Sequence, residues 1–145
     1  MEQMTFDIYD VDEDKTREAV EKYLSRAREY QVTEYIPEEP SMTASYSDMP
    51  RSNTGVTSDQ TGNLVINMVD EQQRRKRHVE RAEKAIRKLG AKQQLLIRER
   101  YMNDDDVWDS EVARKIGYSD RHYRRIKSYA IYRLATSLGL IVFKD

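Results

Sequence analysis

Arg121, Arg124 and Arg125 stand with Asp120, His122, Lys127 and Ser128 in one short stretch, SDRHYRRIKSYA. Arginine offers a planar fork of donors that matches the O6/N7 edge of guanine, and carboxylates accept from cytosine N4. At 100° per residue Arg121, Arg125 and Ser128 share one side of a helix, with Arg124 and His122 on its flanks. Arg121 and Arg125 would lie toward base edges with Arg124 beside them. Asp120 would accept from cytosine or serve the helix dipole. Ser110, Lys127 and Tyr132 are the candidates for phosphates, which fix register rather than sequence.

The residues around this stretch dictate how it is presented. Tyr123, Ile126, Ala130 and Leu134 recur at spacings of three and four, giving the same helix an apolar side. Ser119 precedes it as an N-cap whose hydroxyl accepts from an orphan backbone N–H, and Ser119 joins the candidate DNA-facing set at that end. Gly117 ends the helix before, which carries Val112, Ala113 and Ile116. Two helices and a tight turn over 109–138, the second with a basic side, form the pattern of a helix-turn-helix entering the major groove. The plainer alternative is a helical hairpin with solvated arginines.

Other groupings carry less chemistry. Asp104, Asp105 and Asp106 are adjacent carboxylates without the spacing of a calcium loop. His78 and His122 fall in separate elements, and the chain has no cysteine, so no metal site is expected. Neither a glycine-rich phosphate loop nor a nucleophile elbow is present, so the expectation is a protein with no catalytic residues and no cofactor.

Helix formers dominate the 145 residues and predict an all-α fold. Charge is segregated: residues 1–70 hold 6 Lys/Arg against 15 Asp/Glu, about −9, and residues 71–145 hold 19 against 11, about +8. The basic half suits double-stranded DNA, and the acidic half is expected to face a protein or solvent. With no long apolar run and no leader, the expected location is the cytoplasm, away from membranes.

Along the chain the spacing predicts a helix from about Asp12 to Thr33, with Ala19, Val20, Tyr23, Leu24, Ala27 and Tyr30 on its apolar side. Residues 1–35 read as an acidic helical segment. Residues 36–63, with three prolines and many Ser, Thr, Asn and Asp, read as a flexible linker and a domain boundary. Residues 64–145 read as the helical DNA-binding domain. Its first helix begins near Asn63, with an apolar stripe strong only from Val79 onward and a basic run, Arg74 to Arg77, with some capacity for phosphate. Gly90 breaks it, and Ala91–Met102 forms the next helix through Leu95, Leu96, Ile97 and Tyr101. Trp108 is spaced to join Val112 and Ile116 in the core. The closing Leu140, Ile141, Val142 and Phe143 are expected to fold back on the bundle, or to meet a second copy.

The phrases LLIRERYM, EVARKIGYSDRHYRRIKSYAIYRLATSLGL and the closing IVFK carry a family likeness. Over about residues 60–145 the chain resembles the ArpU/RinA-like family of phage transcriptional regulators. The resemblance implies a helix-turn-helix similar to region 4 of bacterial sigma factors. It also implies control of late genes (packaging, structural and lysis functions) of a phage or prophage in a Gram-positive host. Partners expected on this reading are double-stranded DNA, with host RNA polymerase and a second copy of the chain as further candidates. Two rival readings stand beside it: a sigma-like adaptor docking on polymerase, and a small terminase subunit marking DNA for packaging.

Overall fold

A computed structural model describes residues 10–38 and 54–145, with side-chain surroundings in the second helix given from residue 69 onward. Among the described residues there are five helices: α1 (Glu13–Val32), α2 (Thr54–Arg87), α3 (Ala91–Tyr101), α4 (Asp109–Ile116) and α5 (Asp120–Leu138). Among the described residues the only β pairing is an isolated antiparallel bridge between Val11 and Phe143. The fold is all-helical.

Asp12 caps α1 by accepting from the Lys15 N–H at 3.0 Å, and Glu13 and Asp14 occupy the positive end of the helix. Val20, Leu24 and Ala27 are fully buried. They meet Ala82 and Ile86 of α2, Leu96 and Ile97 of α3, Val112 and Ala113 of α4, and Ala130 and Leu134 of α5 in one cluster. α5 packs against each of the other four described helices. Its buried alanines, with Ala27 and Ala82, keep the side-chain layer between helices thin, which permits close approach.

The two ends of the described chain are tied together. The Asp12 N–H donates to Val142 O at 2.8 Å and the Lys144 N–H to Asp10 O at 2.9 Å. Thr16 Oγ1 accepts from the Val142 N–H at 3.0 Å. Leu140 and Ile141 pack on the core, so the C-terminal tail does fold back, although Phe143 at its end stays half exposed.

Several expectations are corrected. α2 begins at Thr54, ahead of Asn63, so ten positions assigned to the linker are helical. Their Ser, Thr and Asn content favours turns, but extending an existing helix adds a hydrogen bond for each residue fixed. Of the rest of the expected linker, 36–38 has no regular structure, while 39–53 and the first nine residues, read as irregular, lie outside the described residues. Helices on both sides of the linker share one core, so α1 is not a separate unit. Leu95 is exposed because an apolar run of three sweeps 200° around a helix, and Leu96 and Ile97 take the inward side. Trp108 is 74% exposed: it sits in extended backbone just ahead of α4, where helical spacing no longer aims its side chain.

Candidate nucleic-acid interface

The turn between α4 and α5 is built as its residues require. Gly117 adopts φ 78°, ψ 30°, and nothing lies within 4 Å of where a Cβ would stand. Its role is therefore the left-handed conformation, not close approach. The Tyr118 N–H reaches back to Ala113 O at 2.9 Å and the Gly117 N–H to Arg114 O at 3.2 Å, the paired closure of a Schellman motif. Ser119 Oγ then accepts from the His122 N–H at 3.2 Å, starting α5. With both carbonyl and amide ends satisfied, the two helices are joined at a defined angle.

On α5 the apolar side lands as spaced: Tyr123, Ala130 and Leu134 are buried and Ile126 packs against them. Asp120, Arg121, Arg124, Arg125 and Ser128 are exposed, as is Ser110 at the start of α4. Neither Arg121 nor Arg124 has an ion-pair or hydrogen-bond partner among the described residues. Arg125 lies 3.2 Å from His122 Nδ1, and the His122 ring stands edge-on to Tyr118 at 4.7 Å. His122 is thus held between turn and helix, half buried. The Ser119 oxygen, also in the candidate set, is occupied as the cap acceptor while the residue itself remains exposed.

Lys127 does not belong on this surface. Its side chain is only 14% exposed, with Nζ 2.9 Å from Asp109 and 3.7 Å from Glu21. Spacing places Lys127 near the apolar side, and the acids opposite draw the ammonium inward. Asp109 is the centre of the resulting network, a role with no local sequence signal because its partners come from two other helices, α3 and α5. Oδ1 accepts from Arg100 Nε at 2.8 Å and the Tyr123 hydroxyl at 2.7 Å, while Oδ2 takes Lys127. Burial alone would raise the Asp109 pKa, but the hydrogen bonds from Tyr123 and Lys127 and the nearby cations hold it below the ordinary aspartate value. Burial and the Asp109 hydrogen bond push the Tyr123 hydroxyl up. Burial, first, and the hydrogen bond to Glu21, which accepts from its hydroxyl at 2.6 Å, raise Tyr101.

The other candidate chemistry is absorbed by structure. His78 stacks on Tyr23 at 3.8 Å, with its Nε2 3.0 Å from Tyr23 O. Asp106 accepts from Arg28 at 2.9 Å. Among the described residues no three metal-ligating side chains converge. In the basic run Arg74 and Arg75 both close on Glu71, at 2.8 and 2.7 Å, and their hydrogen bonds lower its pKa to about 2. Arg75 also lies over the Tyr30 and Tyr35 rings, so two of the four cations are already engaged. Among the described residues no helix is long and apolar enough to cross a membrane.

Sequence reasoning missed Tyr129, which is 54% exposed beside the arginines. Its position 240° around from Tyr123 was the available signal. No family model, no curated protein and no solved structure matches this chain.

Proposed function

We propose that the chain is a sequence-specific double-stranded DNA-binding regulator of transcription, with α4 and α5 acting as a helix-turn-helix similar to sigma region 4. One observation carries this reading: among the described residues Arg121 and Arg124 stand unpaired beside Arg125 on the outer side of a helix whose start is fixed by a satisfied turn. Elsewhere Arg74, Arg75 and Arg98 close on carboxylates instead. A row left unpaired near a helix N-terminus is what entry into a major groove needs. Arg121 and Arg125 read base edges, Ser110 and Arg124 meet phosphates, and Asp120 faces cytosine or the helix dipole. The phage or prophage late-gene role follows from the family resemblance alone. A single such module reads only a few base pairs, so a second copy on a paired half-site belongs to the proposal.

The test is a bind-and-sequence selection with purified protein on fragmented bacterial and prophage DNA at physiological salt. A short enriched motif upstream of a late operon is expected, and half-site spacing would report a dimer. Arg121→Ala or Arg125→Ala should cost roughly 1–3 kcal/mol on that motif and relax its preference. Wild-type binding by both variants would remove the reading helix from the interface.

A second reading has one observation of its own. Trp108 is 74% exposed, and its indole, a donor only, cannot accept from the first turn of α4 as an N-cap should. Exposed tryptophan is the residue type most often found at the energetic centre of protein interfaces, which suits a sigma-like adaptor docking on RNA polymerase. Trp108→Ala should then release polymerase in a pull-down while leaving affinity for bare DNA unchanged.

A further inference from the structure

The acidic half of the chain was expected to turn away from DNA, but the start of α1 lies beside α5. Between them opens a groove of ≈ 550 Å³, lined by Arg17 and Glu13 from α1 and by Arg124, Arg125, Ser128 and Tyr129 from α5. Val11 and Ile131 give it an apolar floor.

Charge on its walls is unbalanced. Arg124 is unpaired among the described residues, Arg125 meets only the His122 ring, and Arg17 is half exposed with one guanidinium nitrogen 3.1 Å from Asp14. Asp109, which also borders the groove, is taken up by Lys127 and Arg100, so Glu13 is the lining carboxylate that opposes the arginines. The groove also continues the outer side of α5: Arg125 and Ser128 share that side with Arg121. Helix and major groove have similar widths, about 10–12 Å, so a helix seated there brings a phosphate strand against each flank. The flank carrying Arg124 and Ser128 faces the start of α1.

We propose that this groove holds the sugar–phosphate backbone of one DNA strand bordering the site read by α5. Arg17 adds a phosphate contact from outside the helix-turn-helix. Glu13 sits on the same track as a repulsive element that limits affinity for DNA of any sequence. This inference rests on the DNA-binding reading above. It assigns α1 a part in the interface that the α4–α5 pair alone does not supply.

The experiment is a salt titration of affinity by fluorescence anisotropy, using duplexes of about 30 base pairs, roughly three turns, one bearing the selected motif and one of random sequence. Wild type, Arg17→Ala, Glu13→Gln and Arg121→Ala are compared, each checked for an unchanged thermal melt. Arg17→Ala is expected to weaken both duplexes by a similar factor and to reduce the slope of log K against log salt by about 1. Glu13→Gln is expected to tighten both. Arg121→Ala should lower the preference for the motif. If Arg121→Ala behaves so while Arg17→Ala and Glu13→Gln leave affinity and slope unchanged, the groove is off the DNA path and the inference falls alone. If the two α1 variants instead alter retention of a protein from the bacterial extract and not of DNA, the occupant is a protein and the inference is likewise overturned. Should Arg121→Ala also bind both duplexes as wild type does, and Arg125→Ala with it, α5 is not the reading helix and the reading this inference rests on falls first.

Discussion

The Asp109 carboxylate accepts from Arg100, Tyr123 and Lys127 at once, so α3, α4 and α5 meet on one charge. Removing it would leave the Lys127 ammonium, 14% exposed, with only Glu21 at 3.7 Å. Hydrogen bonds to charged groups contribute about 1.5–3 kcal/mol, and Asp109 is itself 43% exposed, so Asp109→Ala should cost about 1–3 kcal/mol in urea unfolding. The pH dependence has a fixed sign. Because the folded pKa is depressed, the contribution is fully present above the ordinary aspartate value of 3.8 and is lost as pH falls through the lower folded value. Unfolding midpoints of the wild type should therefore drop more steeply in that acid window than those of Asp109→Ala. Lys127→Ala separates network from interface: it should lower stability yet leave the salt slope of DNA binding unchanged. A fall in that slope by about 1 would return Lys127 to the phosphate contacts.

Gly117 and Gly90 punctuate the helices by different physics. Gly117 holds φ +78° in open space, so Gly117→Ala meets no clash and should cost only the left-handed penalty, about 1–2 kcal/mol, seen as a lowered thermal midpoint. Gly90 has φ −65°, ψ 163° and serves as the N-cap of α3 with no side-chain oxygen to offer. Gly90→Ser should therefore stabilise by a few tenths of a kcal/mol, the usual gap between glycine and a good cap. Both glycines read as breaks in the sequence, and the Ser119 cap was legible too, because these features are decided by neighbours within four residues. Side-chain periodicity likewise placed Leu24, Ile97, Tyr123 and Leu134 inward. What local pattern does not hold is direction set from a distance. Trp108 was aimed inward by a spacing that stops applying before α4 begins. Lys127, a phosphate candidate, is set only near the apolar side by its spacing, and Asp109 and Glu21 from other helices draw its ammonium in. Of the candidate interface, the arginine row was legible and its neighbour α1 was not.

The whole molecule depends on that neighbour. Sequence composition divides the chain at residues 36–63, which would make residues 64–145 a self-sufficient unit. In the structure Val20, Leu24 and Ala27 of α1 are fully buried in the same cluster as Ile86, Leu96 and Leu134. The α1 entry is also sewn to the C-terminal tail, where Thr16 and Asp12 bond Val142 and Asp10 bonds Lys144. Without α1 the apolar sides of α2, α3 and α5 would lie open to water, at about 25 cal/mol for each Å² uncovered. Truncating one side chain already tests the point: Leu24→Ala should cost about 2–5 kcal/mol, a large share of the roughly 5–15 kcal/mol that holds a domain together. Deleting residues 1–35 should go further and abolish the cooperative thermal transition followed by circular dichroism. A peptide spanning residues 10–38, added in trans, should restore it in a concentration-dependent way, since whatever binds only the folded form stabilises it by mass action. If residues 36–145 instead melt cooperatively at the full-length temperature, α1 is a dispensable cover. The acidic half would then act on the DNA surface alone, through Glu13 and Arg17, and not through the fold.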